Sequence, residues 1–381
     1  MSASSSTRAA VDLFSSRYGA SPVVAASAPG RVNLIGEHTD YNGGPVFPLA
    51  LKVRTTVVAS GHDGWEFAST LEPGAIRLDP DQPMRQSWTD YLVGVIRVLR
   101  FMKAAPAGAR IAVASTVPVG AGLSSSAALC VSAVKTLSLL AGRRLSSADI
   151  AEAAYRAEHY EVGVKCGRMD QTVSAFARSG SALLFETATG DIELVPMPAK
   201  VWIMETGVTH QLSGGEFNQR RRECEEAVAI LRERGFDIKL LAELPPARLD
   251  EALPQLPPPL EKRVRHVVTE TARTRLAATM LLRRDLPAFG KILVEGHQSL
   301  RVDYQSTVPE ADFLVTTAME FGAYGARLTG GGWGGAVIML LPPDREQRIV
   351  AEISDAFARQ YGRVPSAWWS KASSGVKREK V

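Results

Sequence analysis

The side chains best suited to binding chemistry are concentrated in one short stretch, residues 29–44, which reads PGRVNLIGEHTDYNGG. Seven of these sixteen residues are Glu, His, Asp, Arg, Asn or Thr, and glycines separate them. A site for a polyhydroxylated small molecule needs this many donors and acceptors, because each hydroxyl left unpaired in a dry pocket costs about 1–3 kcal/mol. The glycines let the backbone turn sharply and approach a ligand. The stretch therefore predicts a sugar-like ligand site, with a polar surface loop between two strands as the alternative.

A second stretch predicts a phosphate-binding loop. Residues 111–115 have the pattern of a strand, and residues 118–128, PVGAGLSSSAA, lead into a helix whose apolar residues recur every three positions from Val131 to Leu140. Backbone N–H groups and the positive end of the helix dipole at such a loop suit a polyphosphate. The loop has neither the G-K-[ST] ending of a Walker A loop nor the third glycine of a dinucleotide site. An ordinary capped helix is the alternative.

Glu158 falls on the apolar stripe of the next predicted helix, which Ile150 and Ala154 define. A carboxylate on a buried stripe is costly unless it is paired or binds a metal ion. The residues alone leave two interpretations open: a metal ligand, or a structural partner of Arg156 or Lys165.

Two further stretches carry candidate site residues. Asp170 lies at the start of a predicted helix, where an anion is stabilised, and Gly167 before it gives a ligand room to approach. A simple N-cap aspartate is the alternative. Residues 327–336, RLTGGGWGGA, hold five glycines in six positions, which indicates a backbone pressed against a ligand or another loop. A tight turn without a ligand is the other interpretation.

Taken together, these stretches resemble the galactokinase branch of the GHMP kinase family. The first resembles its signature G-R-x-N-L-I-G-E-H-T-D-Y-N, the second its ATP phosphate loop, and the glycine-rich stretch its third motif. The family carries G-I-M-D-Q where this chain has GRMDQ at 167–171. The resemblance runs from about residue 28 to 341, and it also includes His210, residues 216–218, Arg221, Cys224, residues 297–301, Asp303 and Tyr304.

The resemblance implies an α+β GHMP kinase fold with two domains. The N-terminal domain, 1–198, would resemble the second domain of ribosomal protein S5, and the C-terminal domain, 199–381, would be ferredoxin-like, with the active site in the cleft between them. The apolar pattern predicts one strand over residues 46–58 and a long charged helix from about Gln219. Prolines 196 and 198 suggest the boundary.

The same resemblance implies an ATP- and Mg²⁺-dependent kinase for the anomeric hydroxyl of galactose. Asp170 and Arg31 would be catalytic. The sugar would contact Glu37, His38, Asp40, Gly167, Asp170 and Phe217. The nucleotide would contact Gly120, Ala121, Gly122, Leu123, Ser124, Ser125, Ser126, Trp88, Tyr91, Gly331 and Gly332. Ser126 and Glu158 would hold Mg²⁺, whose octahedral shell accommodates two protein oxygens with phosphates and waters.

Two departures from the family pattern bear on the choice of sugar. Family members usually carry Tyr where this chain has Phe217, so one hydrogen bond to galactose is expected to be missing. Arg168 replaces an apolar residue, and if it faced the cleft it could pair with a C6 carboxylate and favour galacturonate. A surface position paired with an acid is the expectation we prefer. A non-catalytic galactose-sensing regulator is a further alternative, which the intact Ser126-Ala127 pair and Asp170 disfavour.

The composition of the sequence limits which partners and which cellular location we expect. The 381 residues are 45% hydrophobic and 22% charged with a net charge of +4, and Lys and Arg are scattered, so we expect no nucleic-acid partner. Three cysteines without metal-ligand spacing suit reduced thiols. No apolar run reaches the roughly 18 residues of a membrane helix, and the first six residues lack a signal core. We expect a cytoplasmic monomer without membrane contact.

Overall fold

The computed structural model describes residues 5–208 and 215–381; His210 and the first four residues, both part of the sequence-based predictions, lie outside these ranges. The helices are α1 Ser5–Tyr18, α2 Thr89–Phe101, α3 Ser125–Leu140, α4 Ser147–Arg156, α5 Met169–Phe176, α6 Gly215–Glu233, α7 Leu249–Ala252, α8 Leu260–Leu282, α9 Leu286–Ser299, α10 Pro309–Glu320 and α11 Glu346–Tyr361. The strands are β1 Val24–Asn33, β2 Pro45–Val46, β3 Pro48–Gly61, β4 Trp65–Ser69, β5 Glu72–Arg77, β6 Ala109–Ser115, β7 Ser181–Glu186, β8 Ile192–Pro196, β9 Val201–Glu205, β10 Gly325–Thr329, β11 Ala336–Leu340, β12 Ala367–Ser370 and β13 Lys377–Arg378.

A six-stranded sheet in the order β13-β1-β3-β6-β4-β5 carries the N-terminal half. Its strands pair antiparallel except β4 and β6, which are parallel. Alternate residues of β3 serve two cores: Val57 packs towards α2, α3 and α4, whereas Val58 packs towards Phe14 of α1. This period of two follows from strand geometry and fixes which helices cover each face.

A four-stranded antiparallel sheet in the order β10-β11-β9-β12 carries the C-terminal half. Met204 and Met339 share a core with α6, α8, α10 and α11 on one face. Ile203 and Ile338 on the other face share a core with Leu34 and with residues of α9. The two halves are thus joined through a continuous apolar core, and the α+β architecture predicted from the sequence is confirmed.

The predicted strand over residues 46–58 is two strands in different sheets. Val46 of β2 pairs with β7 in a three-stranded sheet, β2-β7-β8, whereas β3 begins at Pro48 in the six-stranded sheet. Between them the Phe47 N–H donates to Ile35 O at 3.0 Å and to Asn33 Oδ1 at 3.2 Å. The break exists because Phe47 pairs with the polar stretch after β1, a contact that hydrophobic periodicity cannot show.

The start of α6 and the course of the C-terminal segment are two further features of the fold. Helix α6 includes Gly215, four residues before the predicted start at Gln219, because the polar first turn carries no apolar repeat that marks it. The C-terminal strand β13 returns to pair with β1, and the Arg54 guanidinium donates to the carbonyls of Ser374 and Gly375. The division at residue 198 stays a prediction, and this last segment packs on the N-terminal sheet.

Within the described ranges, no helix is long and apolar enough to cross a membrane.

Candidate active site

A cavity of about 390 Å³ lies where the two halves meet. Its lining includes five segments that carry the predicted motifs: the turn after β1, the loop before α3, the start of α5, the loop between β10 and β11, and Phe217 of α6. The tertiary fold therefore brings all the motifs predicted from the sequence to one place. The predicted site residues that line the cavity are Arg31, Glu37, His38, Asp40, Trp88, Tyr91, Gly120, Gly122, Leu123, Ser124, Ser125, Ser126, Glu158, Gly167, Asp170, Phe217, Gly331 and Gly332; Ala121 does not line it and instead packs in the core.

Arg31 links the start of α5 to the loop before α3. Its Nε donates to Asp170 Oδ1 at 2.7 Å, and its Nη2 donates to Asp170 Oδ2 at 2.8 Å. The remaining Nη1 donates to Gly122 O at 2.6 Å, and the side chain is almost fully buried. A planar, bidentate pair of this kind fixes both partners in orientation. Arg31 is therefore held between the candidate catalytic carboxylate and the phosphate loop.

Asp170 is the second residue of α5, but it does not cap the helix. Its Oδ2 accepts from Ser124 Oγ at 2.5 Å as well as from Arg31. Ser124 stands just before α3 with a left-handed backbone, φ of 60°, and its hydroxyl makes no cap bond. Neither side chain caps its helix, because Ser124 and Asp170 are hydrogen-bonded to each other instead.

Gly167 lines the cavity, and it also leaves space for the side chain of Asp40. A Cβ built at Gly167 would overlap Asp40 Cγ and Oδ2, and Oδ1 would lie 3.2 Å away. Asp40 Oδ1 accepts from the Tyr41 N–H at 2.9 Å. Burial and the nearby Asp170 raise the pKa of Asp40 to about 6. The carboxylate is therefore held in a cramped position at the cavity wall.

A buried charge cluster behind the cavity escaped the sequence analysis. Arg327 is fully buried and pairs with Glu37 and, at 2.8 Å, with Glu270 of α8. Burial raises the pKa of Glu37 to about 7 despite Arg327. Burial acts in the same direction on Glu270, yet Arg327 and Arg273 together hold the pKa of that carboxyl well below its usual range. Arg327 is more than 50 residues from both Glu37 and Glu270 in the sequence, so local patterns could not pair them. The position of Glu37 in the first motif was the only signal that could have suggested the cluster.

The phosphate loop and the glycine-rich loop press on each other. Gly120 and Gly122 have φ of 76° and 71°, a left-handed conformation that glycine adopts without strain. A Cβ at Gly330 would lie 3.1 Å from Gly122 O, and one at Gly335 would lie 3.2 Å from Ala121 O. The many glycines are thus explained in part by contact between two loops, one of the interpretations that the sequence left open.

Glu158 and Ser126 form the candidate metal site. Glu158 is buried in the short π-helical turn 157–161, and its Oε2 accepts from Gln171 Nε2 at 2.6 Å. Arg156, its proposed structural partner, pairs with Glu152 instead. Burial raises the pKa of Glu158 to about 7, while a hydrogen bond with Ser126 opposes this shift.

The Glu158 carboxylate and the Ser126 hydroxyl suit a cation whose remaining ligands are water and phosphate oxygens. A buried carboxylate whose neighbours are neutral donors gains most from a metal ion. Among the residues that the structure describes, no group of three or more His, Cys, Asp or Glu could hold a metal ion. The site therefore fits Mg²⁺, which keeps water and phosphate oxygens in its shell, better than an ion that demands a full protein cage.

Trp88 and Tyr91, at the start of α2, both line the cavity. Both pack against the core formed by α2 and α3 and face the cavity beside Leu129 of α3. Trp88 Nε1 is buried without a hydrogen-bond partner in the described part of the chain. Two aromatic rings with an unused donor are suited to contact a planar aromatic ring.

Arg168 points away from the cavity. Its guanidinium pairs with Glu152 and lies 4.4 Å from the centre of the Tyr155 ring. The surface alternative for this residue is confirmed, and a direct contact with a C6 carboxylate in the cavity is excluded by its orientation in this structure.

The fold and the two facing loops define a class of small-molecule kinase. The model of the GHMP kinase N-terminal domain matches residues 90–178, and the model of the C-terminal domain matches residues 277–359. A mevalonate kinase structure shares the fold, with a TM-score of 0.65 at 18% identity over 91% of this chain and 98% of its own.

Relatives of higher sequence identity show to which branch of the GHMP kinases the chain is most similar. The galactokinase galactose-binding signature matches residues 12–61. Galactokinase of Chloroflexus aggregans is 41% identical over 95% of both chains, and human galactokinase is 38% identical over 96% of this chain and 94% of its own. The structure of Lactococcus lactis galactokinase complexed with galactose superposes with a TM-score of 0.93 at 30% identity, over 97% of this chain and 99% of that one. The chain belongs to the galactokinase family of GHMP kinases.

Proposed function

We propose that Asp170, Arg31 and a magnesium ion at Ser126 and Glu158 serve the galactokinase reaction of this chain, the ATP-dependent phosphorylation of the C1 hydroxyl of galactose. The observation that carries the proposal is the position of Arg31, which binds Asp170 through two nitrogens and the phosphate loop at Gly122 through the third. The acceptor hydroxyl and the γ-phosphate would meet at this residue.

Asp170 orients the C1 hydroxyl and accepts its proton. Because Arg31 and Ser124 fix the carboxylate, the lone pairs that they leave free point in a defined direction. Phosphoryl transfer has a loose transition state, so most of the catalytic effect comes from position and electrostatics. Arg31 stabilises negative charge on both the carboxylate and the transferred group, which lowers the pKa of the bound hydroxyl.

Mg²⁺ supplies charge neutralisation on the phosphates when it is bound. The protein's own part is to hold Ser126 at the first turn of α3 and Glu158 on the neighbouring π-helical turn. The loop contains no lysine that could bind the phosphates. The positive end of the α3 dipole therefore contributes to holding them. Trp88 and Tyr91, which line the cavity, would flank the adenine.

Galactose is the preferred sugar in this proposal, and Glu37, His38 and Asp40 hold its other hydroxyls. Two observations support the choice over galacturonate. Arg168 is paired with Glu152 outside the cavity, and the Asp40 carboxylate at the cavity wall would disfavour a second carboxylate beside it. The weaker pairing expected from Phe217 affects affinity and not the choice of sugar. Cytoplasmic location and a monomeric state remain predictions.

The decisive experiment is turnover of ATP by the purified wild-type chain and by Asp170→Asn, with galactose and with galacturonate. We expect galactose to be preferred and the variant to lose about 10²–10⁴ in kcat, with KM for galactose changed far less. Near-normal turnover by Asp170→Asn would refute the role of Asp170. Sugar binding without turnover in the wild type would favour the regulator, and a preference for galacturonate would overturn the choice of sugar.

A further inference from the structure

The ring of His38 is held in place from several directions, although Nδ1 alone of its two nitrogens has a hydrogen-bond partner among the described residues. Nδ1 lies 2.9 Å from the Tyr41 hydroxyl, and the ring stacks on Tyr304 with centroids 4.3 Å apart. The backbone of His38 is left-handed, with φ of 65°, and its carbonyl accepts from Asn42 Nδ2 at 2.8 Å. A non-glycine residue in this region is uncommon, and here its surroundings maintain it.

The hydrogen bond at Nδ1 is the end of a buried chain. The Tyr41 hydroxyl lies 2.7 Å from that of Tyr304, which in turn lies 3.4 Å from Cys224 Sγ. Tyr304 and Cys224 are essentially inaccessible to solvent. This chain of hydrogen bonds therefore connects the turn after β1 to α6 and to the segment after α9. Each phenol hydroxyl in it can donate one hydrogen bond.

The chemistry of the members sets the direction of this chain. A phenol is a better donor than a neutral imidazole N–H, and an imidazole nitrogen is a better acceptor than a phenol oxygen. The favourable order is therefore Tyr304 to Tyr41 to His38 Nδ1, with the weak thiol donor Cys224 at the far end. Burial lowers the pKa of His38 well below its usual value, so the ring stays neutral.

Nε2, the other nitrogen of His38, has no such partner among the described residues. Nε2 is buried and makes no hydrogen bond within the described residues, while His38 itself lines the cavity. The backbone of Gly331 is close enough to favour a proton on the ring.

From this geometry we infer that Tyr304 and Tyr41 are positioning residues, which fix His38 as the neutral tautomer with a proton on Nε2 and aim that N–H at an oxygen of the bound sugar. The inference rests on the proposed placement of the sugar beside His38. It assigns a function to Tyr304, a residue that contacts His38 but does not line the cavity. An N–H donor of fixed direction favours a sugar that has an oxygen in the right place to accept the hydrogen bond. A sugar without that oxygen would leave the N–H unpaired in the closed site, which is costly.

The tautomer can be read directly from the ¹⁵N spectrum of histidine-labelled protein at pH 7.5, without ligand or turnover. The chain has six histidines, and comparison with His38→Gln assigns the signals of interest. We expect a protonated Nε2 and an unprotonated, hydrogen-bonded Nδ1. A proton on Nδ1 would overturn the inference. Because this readout needs no sugar, it remains valid even if the proposed function fails.

Tyr304→Phe tests the chain beyond Tyr41. We expect the Nδ1 resonance to move and KM for galactose to rise about threefold to tenfold, the effect of weakening one neutral hydrogen bond. We expect kcat and KM for ATP to stay within about twofold. Tyr18→Phe is the matched control, since Tyr18 donates its phenol hydrogen bond to Ile111 O, away from the cavity, at 3.2 Å.

The possible outcomes distinguish a role of Tyr304 in positioning His38 from a purely structural role. An unchanged Nδ1 resonance and galactose KM in Tyr304→Phe would overturn the role of Tyr304, as would a parallel rise in KM for galactose and ATP. If Tyr304→Phe does not fold, Tyr41→Phe takes its place, because it removes the phenol that contacts Nδ1 directly. An unchanged Nδ1 signal in that variant would also overturn the inference.

Discussion

Gly167→Ala is the smallest change that should disable the sugar site of this galactokinase without touching its nucleotide site. The new methyl group would overlap the carboxylate of Asp40, whose Cγ and Oδ2 occupy the space beside Gly167. Gly167 does not have a left-handed backbone, so the substitution acts through this overlap and not through backbone strain. The effect should therefore be confined to Asp40 and the groups that it contacts.

The size of the effect follows from the displacement. To restore an ordinary carbon–oxygen contact the Asp40 carboxylate must move by about 1 Å or more, which pulls Oδ1 from the Tyr41 N–H that it now meets at 2.9 Å. A misplacement of this size in a positioning group costs on the order of 10²-fold in rate. We expect kcat/KM for galactose to fall about 10²-fold, mainly through KM, and KM for ATP to stay within about twofold.

Steady-state kinetics with each substrate varied in turn measure the effect. Gly61→Ala is the control, because a Cβ there meets no atom within 4 Å. A double-mutant cycle with Asp40→Ala isolates the cause: once the carboxylate is gone, Gly167→Ala should add little further loss. Activity of Gly167→Ala within threefold of wild type, or full additivity in the cycle, would refute the reasoning.

Three further predictions concern the metal site and the outer face of α5. Ser126→Ala and Glu158→Ala should each raise the Mg²⁺ concentration needed for half-maximal activity, and unchanged titrations in both would refute the metal site. Burial raises the pKa of Glu158 from 4.5 to about 7, so the folded chain binds more protons than the unfolded chain between these values and its stability falls as pH rises through them. Glu158→Gln should reduce this loss, which urea unfolding at pH 5 and pH 8 measures; an equal loss in the variant would contradict the assignment. Arg168→Ile should leave the preference between galactose and galacturonate unchanged within about threefold, because Arg168 lies outside the cavity, and a selective loss of galacturonate turnover would count against this placement.

The sequence by itself determined the class of chemistry and most of the residues that line the cavity. This was possible because each motif is continuous: the turn after β1, the phosphate loop and the start of α5 each hold their functional groups within about a dozen residues. Local rules are sufficient for such segments, since a glycine-rich loop before a helix presents N–H groups wherever the helix is placed. The strand pattern at residues 111–115 likewise predicted β6 to within two residues, whereas the pattern over residues 46–58 merged two strands of different sheets.

Only the tertiary structure decided what each of these groups contacts. The sequence could not show that Arg327 neutralises Glu37 and Glu270, that Tyr304 completes the hydrogen-bond chain to His38, or that Gly167 makes room for Asp40. Nor could it show that Arg168 turns outward to Glu152. The physical reason is the same in each case: the partners are brought together by packing between distant elements, and the charge, proton position and space at the site depend on those neighbours and not on local sequence.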